Sequence, residues 1–219
     1  MARPLKLIIA NKAYSSWSVR PWLALAQLGI PFEEVVIPLD LPTTRKAILK
    51  HSPSGRCPAL VDGDLTVWDS LAMLEYVAEK YPKKAIWPKT RAARAMARSL
   101  CAEMHAGFQS LRRECPMNLR RPVRAIALSD EAKADAARIE AMWAGARKAH
   151  GKGGPFLFGR FCAADAYFAP VVNRLHVYDV AVSKASRAYM DAVMATSAFR
   201  ALVDDAMKEK WFIDHYEAI

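Results

Sequence analysis

Two rhythms of apolar and polar positions run along this chain, and they meet between residues 81 and 88. Before that point, short apolar runs alternate with amphipathic stretches. Residues 5–10 form a nearly continuous apolar run, the pattern of a strand covered on both faces. Val19, Trp22, Leu23, Ala26 and Ile30 recur at helical spacing, and Gly29 suits that helix's exit. Residues 32–37 predict a second strand and 42–50 a short helix with a weak pattern. Residues 58–61 and 65–67 flank Asp62-Gly63-Asp64, and Asp-Gly tolerates positive φ, so a hairpin is predicted there. Leu71, Leu74, Val77 or Ala78, and Tyr81 make the stripe of a closing helix. The order β-α-β-α-β-β-α describes a small α/β layer on a mixed sheet.

Residues 81–88, with Pro82 and Pro88, have the composition of a linker. Beyond it, strand-like alternation disappears. Alanine, arginine, methionine and leucine dominate 89–114, which predicts one helix ended or kinked by Pro116. A second long helix is expected over 130–149 with Ser129 as its N-cap. The glycines of 151–154 break the chain, and helical patterns resume over 163–177, 185–195 and 198–210. The expected organisation is an α/β domain over 1–82 and an all-α bundle over 89–219. There is no internal repeat and no low-complexity tract.

Composition narrows the class. Hydrophobic residues at 53% and charged residues at 25% are those of an ordinary globular chain, and no apolar run reaches the ~18 residues of a membrane span. The apolar start closes at Asn11 and Lys12 without a small-residue cleavage pattern, so a buried strand in a cytoplasmic protein is expected rather than a signal peptide. Four scattered cysteines, with no CxxC and no histidine pairs near them, argue against a zinc site and a disulfide scaffold; no metal is expected. A net charge of +10 would suit an anionic partner. It is accompanied by no zinc-finger spacing or RNA-binding signature, so a solvated basic face is expected and nucleic acid is not.

Three local features carry candidate chemistry. The first is the hydroxyl-rich turn Tyr14-Ser15-Ser16-Trp17-Ser18, between the first strand and the first helix. Helix N-termini there favour anions, and a serine can either donate to a bound thiolate or simply cap the helix. The second is Ser54-Gly55-Arg56-Cys57-Pro58. On its own, Pro58 predicts a trans proline opening a strand, because cis bonds are a minority of X-Pro bonds. A cis bond would instead free the Cys57 backbone to pair with an extended peptide. The third is Trp68-Asp69-Ser70, ahead of the closing helix, where Asp69 or Ser70 is an N-cap. The same pair suits a zwitterionic amino-acid head, with Ser70 on its carboxylate and Asp69 on its ammonium.

In this order the three features resemble the glutathione transferase family, over essentially the whole chain. The resemblance implies a thioredoxin-like N-terminal domain, a proline-bearing linker and an all-helical C-terminal domain carrying the electrophile site. It implies glutathione as co-substrate, held by Arg56, by the backbone of Cys57 before a cis Pro58, and by Asp69-Ser70. When Arg20-Pro21-Trp22-Leu23-Ala24-Leu25 is matched to the first helix of the serine-type members (the zeta and tau classes and bacterial relatives), Ser15 falls on the catalytic serine. Ser16 is the reserve, and Tyr14 a weaker rival. No cysteine stands in the turn, and Trp17 replaces the cysteine of the zeta isomerases. That departure favours conjugation of an apolar electrophile over isomerisation, with a glutathione-dependent isomerase or peroxidase as the alternatives. Trp17, His105 and Arg112 are the expected substrate contacts. A member that binds without catalysing is the reading of another class. A homodimer is expected by resemblance, with Arg91, Arg94 and Arg98 of one subunit meeting Glu75 and Glu79 of the other. Cys162-Ala163-Ala164-Asp165 stands where the family has a Ser/Thr-x-x-Asp capping box. A thiol is a poor acceptor, so Asp165 should carry that cap.

Overall fold

The structure, a computed structural model, describes residues 4–219. Strand β1 (Leu5–Ile9), helix α1 (Ser16–Gln27), β2 (Phe32–Val36), α2 (Thr44–Leu49), β3 (Ala59–Asp62), β4 (Leu65–Val67) and α3 (Ser70–Lys80) make the first layer. The sheet order is β2-β1-β3-β4, with β1 parallel to β2 and antiparallel to β3, and β3 antiparallel to β4. The apolar run of β1 follows from its central position. Leu5, Leu7 and Ile9 join the large core under α1 and α3, while Ile8 faces a smaller cluster with Ile37, Ile48 and Ala59.

The second region is helical: α4 (Arg91–Ala106), α5 (Gln109–Glu114), α6 (Asp130–His150), α7 (Ala163–Val177), α8 (Lys184–Met194), α9 (Ser197–Lys208) and α10 (Asp214–Glu217). One difference from expectation lies at 107–108. The helix predicted over 89–114 is two helices, because Gly107 ends α4 and Phe108 takes a left-handed conformation (φ 65°) with its ring buried. The new N-terminus is satisfied from outside: Leu111 donates its N–H to Asp135 Oδ2 of α6 at 3.0 Å.

Helix α7 is the axis of the helical region and packs against α1, α4 and α8. Nearly every residue from Ala163 to Val177 is buried, which explains why its sequence is apolar on all sides. Its first turn is held as expected by Asp165, whose carboxylate accepts from the N–H groups of Cys162 (2.9 Å) and Leu157 (3.1 Å). The ion pair expected between subunits for Arg98 is made within the chain, where its guanidinium grips Glu75 bidentately at 2.6 and 2.5 Å.

Candidate active site

Helix α1 starts one residue after Ser15, and Ser15 is its N-cap. The Ser15 Oγ accepts the Ser18 N–H at 3.3 Å and donates to Ser18 Oγ at 2.9 Å, which also accepts from the Ala10 N–H. So the capping role that the sequence allowed is real. The hydroxyl also sits at a boundary between cavities, since Ser15 lines one of about 470 Å³ towards Arg56 and Cys57 and another of about 210 Å³ towards Arg112 and Arg174. Ser16 lines the second only. Tyr14 is turned to the C-terminus: its hydroxyl donates to Glu217 Oε1 at 2.5 Å, and burial together with that carboxylate pushes its pKa up to about 12. A phenol so held donates away from the turn.

A third cavity, of about 540 Å³, collects Trp17, Arg56, Cys57, Pro58, Asp69, Ser70 and His105 among its walls. Asp69 caps α3 through Leu71 N–H at 3.1 Å and takes the Ser70 hydroxyl on the same oxygen at 3.1 Å. Its other oxygen lies 3.5 Å from His105 Nε2. Ser70 is buried and shares a 2.8 Å hydrogen bond with the Tyr167 hydroxyl of α7. The Cys57–Pro58 bond is cis, against the trans form that Pro58 alone predicts and as the family resemblance implies. Burial raises the Cys57 thiol to about 11, so the sulfur stays protonated at neutral pH.

Trp17 joins the three cavities, since it lines all of them. His105 meets its ring edge-on at 4.8 Å, and the guanidiniums of Arg20 and Arg112 lie 4.3 and 5.3 Å from the ring centre. The three substrate contacts expected from sequence are therefore neighbours. Three further residues join them without having been expected there: Arg20, Arg174 and Tyr167.

Arg20 is 0% exposed, sandwiched between Trp17 and Tyr167, and none of its guanidinium nitrogens has a hydrogen-bond partner among the described residues. Burial pulls its pKa below the usual arginine value. Arg174 donates through Nε to the Cys115 carbonyl at 2.8 Å and has an unpartnered Nη1. Burial, then the charges of Arg112 and Arg20, lower it to about 9. Arg112 is lowered to about 10 by burial first and then by Arg20; it donates to the carbonyls of Gly107 (3.0 Å) and Met104. Arg112 thus feels Arg20, and Arg174 feels both, and no carboxylate is hydrogen-bonded to any of the three among the described residues. Unpaired buried cations are costly, and such a cluster favours an anion. The sequence does carry a signal for Arg20 and Arg174: each is a lone charge inside an apolar helical stretch.

Residues 14–80 match the family described as "Glutathione S-transferase, N-terminal domain". That match spans the sheet layer from α1 to α3. Among curated relatives, glutathione S-transferase Z1 of Arabidopsis thaliana is 34% identical over 105 residues, covering 45% of this chain and 47% of its own length. The chain therefore spans only about half of that relative. The stringent starvation protein A homolog of Pasteurella multocida is 27% identical over 184 residues, covering 81% of this chain and 80% of its own. Two solved structures share the whole glutathione transferase fold. A glutathione transferase homolog from Burkholderia with bound glutathione has TM-score 0.70 at 21% identity, over 95% of this chain and 100% of that one. A zeta-class bacterial maleyl pyruvate isomerase has TM-score 0.71 at 22% identity, over 94% and 100%. No helix of the described residues is long and apolar enough to cross a membrane.

Proposed function

We propose that this chain is a glutathione transferase that ionises the glutathione thiol at the N-terminus of α1 and delivers it to a small electrophile in the cavity beside Arg112 and Arg174. The observation that carries the reading is that three cavities share Trp17 as a wall, one at the Asp69-Ser70 pair, one at Ser15 and Cys57, and one at Ser15 and the two arginines. The γ-glutamyl head would sit on Asp69 and Ser70, and the cysteinyl backbone on Cys57, beside Arg56. This ordering puts the sulfur near Ser15.

A free thiol has a pKa of about 8.5. The α1 N-terminus, the Ser15 hydroxyl and the buried charge of Arg20 all favour the thiolate. The Ser15 proton now rests on Ser18 Oγ, so donation to sulfur requires its rotation away from Ser18 at a cost of about 1 kcal/mol. Ser18 keeps the Ala10 N–H as compensation. The thiol's proton leaves to solvent as the thiolate forms, and the sulfur then bonds to the electrophilic carbon. It either displaces a leaving group that departs with its electron pair, or breaks a carbon–carbon or carbon–oxygen π bond whose electron pair takes a proton from solvent.

The electrophile expected from sequence alone is apolar. Arg112 and Arg174 add a preference: we infer that it carries a carboxylate or similar anion next to an apolar part that packs on Trp17. The same preference keeps isomerisation of an anionic substrate as the second reaction class; peroxide reduction gains no support of its own. Calorimetry with glutathione and a pH titration of thiolate absorbance test the core of the proposal. Binding with a thiol pKa lowered by about one unit or more, and lost in Ser15→Ala, is the expected outcome. Binding with an unshifted thiol would point to a module that holds glutathione without catalysis, and absence of binding overturns the reading.

A further inference from the structure

Ser70 opens α3 and is buried, and its hydroxyl has two partners for its single proton. Asp69 Oδ1 lies 3.1 Å away and the Tyr167 hydroxyl 2.8 Å away. An ionised carboxylate only accepts, so the Ser70 proton goes to Asp69. The second bond then runs the other way, with the Tyr167 O–H donating to Ser70 Oγ. The protons of this short chain all point from α7, through Ser70, towards the cavity that Asp69 and Ser70 line.

Tyr167 is held firmly enough to set that direction. It is fully buried on α7, among residues that are themselves nearly all buried. Burial lifts its phenol to about 12, against the Arg20 charge, which lowers it, so the proton stays on the ring oxygen at neutral pH. The Arg20 guanidinium lies 4.5 Å from the ring centre. Its charge draws electron density from the phenol and makes the hydroxyl a stronger donor. A serine that accepts from such a donor is polarised in turn, and gives its own proton more strongly. Tyr167 lines none of the three cavities of the candidate active site. Its hydroxyl acts on a ligand only through Ser70.

We propose that Tyr167 is a positioning residue for the co-substrate, whose hydroxyl turns the Ser70 proton outward to the α-carboxylate of the γ-glutamyl head. The inference rests on the transferase reading, which seats that head on Asp69 and Ser70. When the carboxylate arrives, the Ser70 proton swings from Asp69 Oδ1 to it. Asp69 keeps the Leu71 N–H at 3.1 Å and its other oxygen remains for the ammonium. Tyr167 continues to fill one lone pair of Ser70 Oγ, so the serine cannot turn its proton inward. A helix of the second region thus selects for a carboxylate that it does not touch.

The test is calorimetry on the full chain with three peptides: glutathione, 4-aminobutyryl-cysteinylglycine, which lacks the α-carboxylate, and glutaryl-cysteinylglycine, which lacks the ammonium. The proteins are wild type, Tyr167→Phe, Ser70→Ala and the double variant. Tyr167→Phe removes one oxygen and keeps the ring under Arg20, and a single cooperative melting transition checks that it folds. Its expected effect is a loss of roughly three- to tenfold in affinity for glutathione and for the glutaryl peptide. The aminobutyryl peptide should bind it as it binds wild type, and the pKa of the bound glutathione thiol should not move. On top of Ser70→Ala, Tyr167→Phe should cost nothing more for any peptide. A loss shared equally by all three peptides, or one that persists in the Ser70→Ala background, marks a structural tyrosine and overturns the proposal. Wild type that binds glutathione while Tyr167→Phe binds it equally well overturns this inference and leaves the transferase reading standing. Wild type that binds none of the peptides overturns both.

Discussion

The two ends of the candidate active site treat polar groups in opposite ways. At Asp69-Ser70, each side chain is matched: Asp69 caps α3, faces His105 and takes the Ser70 hydroxyl, and Ser70 reaches Tyr167. At the other end, among the described residues, Arg112 and Arg174 donate only to carbonyls and Arg174 keeps an unpartnered Nη1. A matched end binds a ligand of fixed shape by replacing a few hydrogen bonds. An unmatched end holds charge for whatever anion arrives, because its desolvation cost is relieved only then. On the proposed function, the difference separates recognition of the co-substrate from recognition of the electrophile.

The largest effect should come from breaking the matched end. Asp69→Ala removes an acceptor for the ligand's ammonium as well as the α3 cap, and a charged hydrogen bond contributes about 1.5–3 kcal/mol. Glutathione affinity measured by calorimetry should fall by roughly 10- to 100-fold, with the thiol pKa of whatever remains bound unchanged. Next comes the boundary residue. Ser15→Ala should raise the bound thiol pKa by about one unit and, through loss of the cap, lower stability to denaturant by about 1 kcal/mol. Ser16→Ala, which loses no cap, should do neither.

At the unmatched end, Arg174→Met should cut kcat/KM for a carboxylate-bearing electrophile by about tenfold relative to an uncharged one. Its folding stability should hold or rise, since an imperfectly paired buried charge is removed. A fall in stability with no change in that ratio would make Arg174 structural. The pH profile of the Asp165 cap of α7 is a smaller test. Burial lifts the Asp165 carboxyl from its ordinary 3.8 to about 6 against two backbone hydrogen bonds that lower it. The folded state therefore holds that proton more tightly than the unfolded chain. Its contribution is complete below about pH 4 and is lost as pH rises through about 6. The difference between wild type and Asp165→Asn in urea titrations should slope downward over that window. Tyr14→Phe, whose hydroxyl serves Glu217, should leave the thiol pKa where it was.

What can be read from the sequence depends on whether the determining contacts are local. The β-α-β-α-β-β-α order follows from periodicity, and the α1 and α3 caps are narrowed to the serines of the 15–18 turn and to Asp69 or Ser70, because a cap is decided within three residues. The break at Gly107 is hidden, since Phe108 turns left-handed only to bury its ring and Asp135 supplies the N–H acceptor from a different helix. Pro58 by itself points to the commoner isomer. The guanidinium cluster is the hardest to see. Arg20, Arg112 and Arg174 stand on three helices: the packing of α1 against α7 brings Arg20 towards Arg174, and α5 adds Arg112 to them.

Tyr167 has a consequence that reaches past binding geometry. Its ring lies under the Arg20 guanidinium of the first domain and its hydroxyl is bonded to Ser70, at the start of α3. Ser70, in the wall of the cavity of about 540 Å³, is therefore also part of the seam between the sheet layer and the helical region. A ligand seated on Ser70 fastens that seam, so saturation should raise the melting temperature of the helical region, which the ligand hardly touches, along with that of the sheet. Heat and ligand become two readings of a single latch.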